Sequence, residues 1–392
     1  MLTPPTESPG RATGRRAVLA SAASAGLIAL TAQLLGQRPP TSVHPEDFGA
    51  TGSGDDTEAF HRLAQQAALE GRVIDGRGRR YSVDNVVWPS GTRLSNIRLR
   101  LNPGDGDDRS PVAIGRPGAV TRDLIFDRVM VDGNRQAQEK VGASGYADGA
   151  RSGFQLKGAV HDVTLRDCQA INCATDGIMI FSNNQSPADD SYILRNIAIS
   201  GLLSRGNRRH GLSADGFRGL SIRNSGFMNN GNDLATGLTS LDGRAGARHG
   251  GVAYGRPFDI EDYLVGTGWY DLLIEDSDCR GNVTGALIYS QVSPDEPGFV
   301  QRHNVRIARC LFDEPGGGRW DPPLGIAQQV GYNGTRMTFS NVHLVDNQFD
   351  HAPLRMSGID GLVVSGGRVT VTKEDRQPVI TTNCQRVQIN LT

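Results

Sequence analysis

The chain has 392 residues, is 38% hydrophobic but only 6% aromatic, and carries 50 glycines and a formal net charge of −1. That length holds one large or two medium domains, and much glycine with few aromatics suits short strands and turns better than a helical bundle. The balanced charge argues against a nucleic-acid-binding surface or a basic membrane patch.

The first element in chain order does not belong to the fold. "TGRRAVLASAASAGLIALTAQLLG" puts Arg15 and Arg16 directly before a weakly apolar Ala/Leu/Ser run. A charged segment ahead of a modest apolar one reads as a bacterial export signal, and the paired arginines are similar to the twin-arginine type. Ala and Ser insert poorly, so a membrane anchor is disfavoured and no stable membrane partner is expected after export. Residues 1–40 are thus expected to be signal and linker. Residues 41–392 are expected to form a single domain acting in the periplasm or outside the cell. Four Arg against one Glu in residues 1–40 leave the remainder at −4. Lys140, Lys157 and Lys373 are the only lysines, so an anionic ligand would be met mostly by arginines. Cys168, Cys173, Cys279, Cys310 and Cys384 are odd in number and lack metal spacing, which argues against a disulfide framework or a metal site.

"DFGATGSGDDTEAFHRLAQQAALEG" over 47–71 predicts a helix. Asp55 is the expected N-cap with Glu58 three residues on, and Phe60, Leu63, Ala64, Ala67 and Ala68 make one apolar face ending at Gly71. Such a helix would plug the open end of a repeat structure.

Beyond it the chain repeats. "LIFDRVMVDGN" at 124, "VTLRDCQAINC" at 163, "IAISGLLSRGN" at 197, "LSIRNSGFMNN" at 220, "LLIEDSDCRGN" at 272, "VRIARCLFDEP" at 305 and "VHLVDNQFDHA" at 342 align without gaps, with "LVVSGGRVTVT" at 362 as an eighth. Each opens with two alternating apolar residues, the mark of a strand with one buried face. Asn134, Asn207, Asn230 and Asn282 share a turn column and are expected to form an amide ladder between coils. Cys168, Ser225, Ser277 and Cys310 share an inward column, so the cysteines read as small core residues.

A second strand family follows each turn: "SGFQLKG" at 152, "DGIMIFS" at 176, "HGLSADG" at 210, "GGVAYGR" at 250, "GALIYSQ" at 285 and "LGIAQQV" at 324. Gly153, Gly177, Gly211, Gly251, Gly285 and Gly325 then fall in one column, where a tight bend would exclude a side chain. Short strands in units of irregular length, with inward columns of like residues, predict an all-β fold: a right-handed parallel β-helix with an N-terminal capping helix. The surplus length falls in loops at 132–151, 182–192, 231–249, 255–270, 290–303 and 313–323. These loops wall a groove floored by the second strand family.

"DFGATGSGDDTEAF" resembles the opening motif of the pectate-lyase-like β-helix superfamily, which includes secreted polysaccharide lyases, polygalacturonase relatives, phage tailspikes and mannuronan C5-epimerases. The resemblance spans roughly 47–390 in architecture and is strongest to the epimerases over 47–232, on "VDGN", "NRRHGL" and "MNNGN". It implies a secreted protein acting on polysaccharide. Those epimerases use a Tyr, an Asp and a His from a Tyr-Gly-x-Asp-Pro-His motif, plus an Arg directly before a His-Gly. Arg209, His210 and Gly211 match the second motif. Asp176, Met179 and Phe181 stand where Tyr, Asp and His would be. The arginine carries over and the other three groups do not; pectate-lyase and polygalacturonase signatures are missing as well.

Read on the residues alone, the floor presents Asp176 and His210 on successive coils with Arg209 beside them. Asp176, Arg209 and His210 covering the base and the neutraliser of a uronate carboxylate, with Tyr254 or Tyr289 as proton donor, would suit lyase or epimerase-like chemistry on an acidic glycan. Phe181 and Tyr289 offer stacking faces, with Lys157 and Asp215 as further substrate contacts. Asp176 and Asp215 lie about 16 Å apart by strand rise, too far for a glycosidase pair. Hydrolysis would therefore need carboxylates expected in loops: Asp189, Asp190, Asp242, Asp259, Glu261 or Asp262. A glycoside hydrolase and a non-catalytic glycan-binding β-helix are the other readings. No cofactor motif is present, and a bound calcium is neither required nor excluded.

Overall fold

The computed structural model describes residues 42–104, 109–116, 118–138, 151–182, 193–231, 255–262, 268–313, 322–328, 332, 335–350, 353–371 and 377–392. Residues 1–40, with the arginine pair, lie outside them, as do Tyr254, Asp189, Asp190 and Asp242. From Ser42 onward the described residues form one compact unit.

Its strands are parallel throughout and each pairs with its counterpart one coil away, which makes a right-handed parallel β-helix. One row holds the seven-residue strands Val160–Arg166, Leu194–Ser200, Phe217–Arg223, Arg302–Ala308, Phe339–Val345 and Ile359–Ser365. A second row of two- and three-residue strands follows around a corner. That corner is a column of left-handed residues: Asp167, Gly201, Asn224, Asp276, Arg309, Asp346 and Gly366 all have φ between 48° and 65°. Asp and Asn tolerate this region best among side-chain-bearing residues, which explains the column's composition. The third side is the floor sheet of ten strands, from Val87–Trp88 to Val379–Thr382.

The core follows the alternation. Leu165, Ile199, Ile222, Ile274, Ile307, Leu344 and Val364 form one inward column, each 2% exposed or less. The amide ladder is present. Asn207 Nδ2 donates to Asn230 Oδ1 at 3.0 Å and Asn230 Nδ2 to Asn282 Oδ1 at 2.9 Å. Asn134 does not join it directly. Its Nδ2 donates to the Leu101 carbonyl, and the next rung holds Cys173, whose backbone N–H donates to Asn207 Oδ1. Cys168, Cys173, Cys279 and Cys310 are buried thiols without disulfides, as their columns suggest.

The helix spans Thr57–Glu70 and buries Ala59, Phe60, Leu63, Ala64 and Ala67 against the first coil. It starts later than expected: Asp56 flanks it, and Asp55 Oδ1 accepts the N–H of Thr57 at 3.0 Å, so no Asp55–Glu58 box forms. Gly71 ends it at φ 63°.

The floor register corrects two expectations. Gly153, Gly177, Gly211 and Gly285 do share a column. A Cβ on Gly177 would come within 2.0 Å of Ser204 Oγ, and one on Gly285 within 1.8 Å of the Pro322 carbonyl oxygen. Between Gly211 and Gly285, however, the column holds Pro257, because Leu212 pairs with Phe258 and Ile260 with Ile288. The strand is Phe258–Asp262, not the "GGVAYGR" stretch, and Gly251 lies outside the described residues. Gly325 is two places out of column, since it pairs with Leu287 and leaves Pro323 opposite Gly285.

Candidate functional site

That register shift puts two unexpected carboxyls on the floor. Phe258 and Ile260 point inward and are fully buried, so Asp259 and Glu261 point outward between them. One outward column reads Gln155, Met179, Ser213, Asp259 and Leu287. The next reads Lys157, Phe181, Asp215, Glu261 and Tyr289. Asp259 and Glu261 were expected in a loop, although the alternation Phe-Asp-Ile-Glu was there to be read. The Gly-Gly-Val-Ala motif a few residues earlier competed with it and resembles the neighbouring coils more closely. Asp262 is different: it is inaccessible and paired with the equally inaccessible Arg302, an internal ion pair.

Asp176, Arg209 and His210 do come together, but not in the roles expected. The Asp176 side chain is completely buried and accepts from Arg209 Nε at 2.8 Å, Arg209 Nη2, the His210 backbone N–H at 3.0 Å and Ser213 Oγ at 2.7 Å. Burial alone would raise its pKa, but the Arg209 charge and these hydrogen bonds outweigh it and hold the group at about 2. A carboxylate so fully engaged is a counterion, not a proton-abstracting base. It clamps Arg209, whose side chain remains 44% exposed above the floor.

His210 is buried rather than outward, at 4% exposure. Its Nδ1 accepts the Arg256 backbone N–H at 3.3 Å, which places the ring proton on Nε2, 3.1 Å from Asp259 Oδ2. The ring therefore orients Asp259 and offers no face to a ligand.

The three outward carboxyls differ in proton affinity. Burial works to raise the pKa of Asp259, but His210 and Arg256, whose Nε lies 3.5 Å from Oδ1, lower it below the ordinary carboxylate value. Glu261, half-buried, is pushed well above that range by desolvation and by the Asp259 charge, with which it shares a hydrogen bond. Asp215 is buried at 8% exposure and not an exposed surface group. Desolvation raises it to about 7, even though Oδ1 accepts the Ser182 N–H at 2.9 Å. Carboxyls pushed in opposite directions are how one site holds an acid and a base together at neutral pH. By strand geometry Asp215 and Glu261 sit about 4.8 Å apart on neighbouring rungs, and Asp215 and Asp259, on the diagonal, about 8 Å apart.

Phe181 and Tyr289 are half-buried in the same outward column, on the rungs before Asp215 and after Glu261, with Lys157 one rung further back. The aromatic pair thus brackets the carboxyls over about 14 Å. No group of three or more His, Cys, Asp or Glu among the described residues is arranged to hold a metal ion.

No protein-family model matches the chain, and no curated protein sequence matches it. Solved structures do. The pre-mature gene product 12 of bacteriophage phi29 aligns over 94% of this chain and 54% of its own, at 15% identity and a TM-score of 0.54. The chain thus spans about half of that protein. The N-terminal fragment of the same gene product aligns over 92% of this chain and 68% of its own, at 16% identity and a TM-score of 0.51. The A-module of the Azotobacter vinelandii mannuronan C-5 epimerase AlgE4 aligns over 89% of this chain and 95% of its own, at 15% identity and a TM-score of 0.44. At such identities the likeness is one of fold, and the fold is the right-handed parallel β-helix.

Proposed function

We propose that the protein is a polysaccharide hydrolase whose reaction centre is the carboxyl trio Asp215, Asp259 and Glu261. The feature behind this is the divergence of their proton affinities at adjacent floor positions: His210 and Arg256 hold Asp259 below the ordinary carboxylate range, while burial lifts Asp215 and Glu261 above it. The diagonal separation of about 8 Å falls in the window of roughly 6.5–9.5 Å that leaves room for a water between base and sugar in an inverting glycosidase. Asp259, held by His210 and Arg256, takes a proton from that water as its oxygen attacks the anomeric carbon. Asp215 gives its proton to the departing glycosidic oxygen. Glu261, bonded to Asp259 and next to Asp215, carries the proton back and restores both groups. One C–O bond breaks, one forms, and one water is consumed.

In this reading Arg209 meets an acidic group on the sugar, with Lys157 as a second positive charge, and Phe181 and Tyr289 stack on sugar faces. With Asp176 tied to Arg209, lyase chemistry would need a different base. The Arg15–Arg16 export signal would deliver the enzyme to extracytoplasmic polysaccharide. Assay on a panel of acidic and neutral polysaccharides tests the proposal. Hydrolysis releases reducing ends without ultraviolet absorbance. An unsaturated uronate product would restore the lyase reading, and binding without turnover would make the protein a glycan-binding β-helix.

A further inference from the structure

Beyond Glu261 the floor changes character. Its outward positions there are Leu287 and Tyr289, then Gly325 and Ala327, then Arg355 and Ser357, and finally Ile380 and Thr382. The single charge among these positions is positive. Arg355 lies in the column of Asp259, three rungs on. Strand spacing sets it about 14 Å from that carboxylate. No side chain rises between Leu287 and Arg355, because Gly325 holds the intervening rung.

Arg355 differs from the other arginines of the floor. Arg209 is clamped by Asp176, and Arg256 is shared between Asp259 and the Gly285 carbonyl. Arginines on the neighbouring rows also find carboxylates: Arg368 meets Asp350 at 3.6 Å and Arg386 meets Asp360 at 2.6 Å. The guanidinium of Arg355 has no hydrogen bond, ion pair or ring contact among the described residues, although the residue is half-buried. The floor offers it no carboxylate beyond Glu261. A cation fixed on a strand, partly out of water and without an internal counterion, is a seat for an external one. The planar fork of a guanidinium matches the paired oxygens of a carboxylate or sulfate, and it is more weakly hydrated than an ammonium.

We propose that Arg355 is a specificity-determining residue that binds an oxyanion, carboxylate or sulfate, on a polysaccharide lying along the solenoid axis. It stands on the opposite side of the carboxyl trio from Lys157. The substrate then carries acidic groups on both sides of the bond that breaks: one at Arg209 and Lys157, another at Arg355. Cleavage accordingly falls inside the chain and not at its end. This rests on the floor being the polysaccharide groove.

Affinity electrophoresis of the full chain through gels containing polygalacturonate, carrageenan or dextran tests the assignment without requiring turnover. One of the two acidic polymers should retard the wild type, which identifies the oxyanion, and dextran should not. Arg355→Ala and Arg355→Gln should weaken that binding about tenfold or more, and Arg355→Lys less. Arg368→Ala, on the row of short strands, is the control and should bind as the wild type does. Melting temperatures should stay unchanged, since no internal partner of Arg355 is lost. Where the polymer is cleaved, Arg355→Ala should raise KM and leave kcat alone. That effect should vanish on oligomers too short to reach about 14 Å from Asp259. A wild type retarded by neither acidic polymer, or unchanged binding in Arg355→Ala, overturns the proposal. So does a fall in melting temperature shared by Arg355→Ala and Glu374→Gln/Asp375→Asn, which would make Arg355 half of an internal ion pair. Binding that depends on Arg355 without turnover would keep the subsite and remove the hydrolase. Hydrolysis of dextran alone would do the reverse.

Discussion

His210 Nε2 stands 3.1 Å from Asp259 Oδ2, across the boundary between two coils. The contact turns a histidine that reads as a reactive group into one that aims a carboxylate. In the proposed hydrolysis, His210→Ala should lower kcat by roughly 10–100-fold with KM little changed, since orienting partners of reactive groups commonly carry that much. It should also shift the low-pH limb of the rate profile upward, because Asp259 loses a group that keeps it ionised. A kcat/KM–pH profile that keeps its shape in the variant would leave His210 a packing residue.

Arg209 and Asp176 give a prediction about stability. Seen as a solvated arginine, Arg209 would be removable at little cost. Its partner, however, is a completely buried carboxylate, and deleting one member of a buried pair strands the other. Because the Arg209 side chain is 44% exposed, solvent screens part of the loss. Arg209→Ala should therefore cost about 2–3 kcal/mol in denaturant unfolding. Arg209→Ala combined with Asp176→Asn should recover a good part of that. Additive losses in the double variant would show that the two groups do not stabilise each other.

Asp215 should make the fold more stable in acid than at neutrality. Its folded pKa of about 7 lies above its ordinary 3.8, so between those values the native state holds a proton that the unfolded chain has released. Stability must then fall as pH rises through that interval and level off above it. The size is a few kcal/mol at most, at about 1.4 kcal/mol per unit. Asp215→Asn should flatten this slope and unfold later than wild type at pH 8. Identical pH–stability curves for the two proteins would refute the assignment.

Leu212 and Ile178 occupy successive rungs of one inward floor column and are both fully buried. Leu212→Asp would place a charge there with no partner, at a cost of several kcal/mol. The variant should fail to give a cooperative unfolding transition by circular dichroism. A well-folded Leu212→Asp protein would mean the floor register is misassigned.

Much of the fold is legible in the sequence because a solenoid repeats its local rules. The alternation at Leu220–Ile222 and the asparagines at 207, 230 and 282 recur often enough to be aligned by eye. The corner column is marked by Asp, Asn and Gly at almost every rung. Legibility fails where one coil breaks the rule. Pro257 stands in a glycine column, so the Gly-rich stretch before it attracts the alignment and moves Asp259 and Glu261 off the floor. Local pattern also says nothing about which outward groups are covered. Asp176, His210 and Asp215 lie at outward positions yet are buried by Arg209, Arg256 and Ser213 or by the turn at Ser182. Those contacts join residues 33 to 46 positions apart in the chain. Strand periodicity does not encode them.

The most direct measurement of the central claim is the anomeric configuration of the first product by proton NMR, on whichever polysaccharide the protein degrades. It should be paired with reducing-end release by Asp259→Asn and Asp215→Asn. With a base and an acid about 8 Å apart, the newly formed end should appear inverted, and each variant should lose at least about 10²-fold in rate while remaining folded. Retained configuration, an unsaturated product, or full activity in both variants would contradict the account.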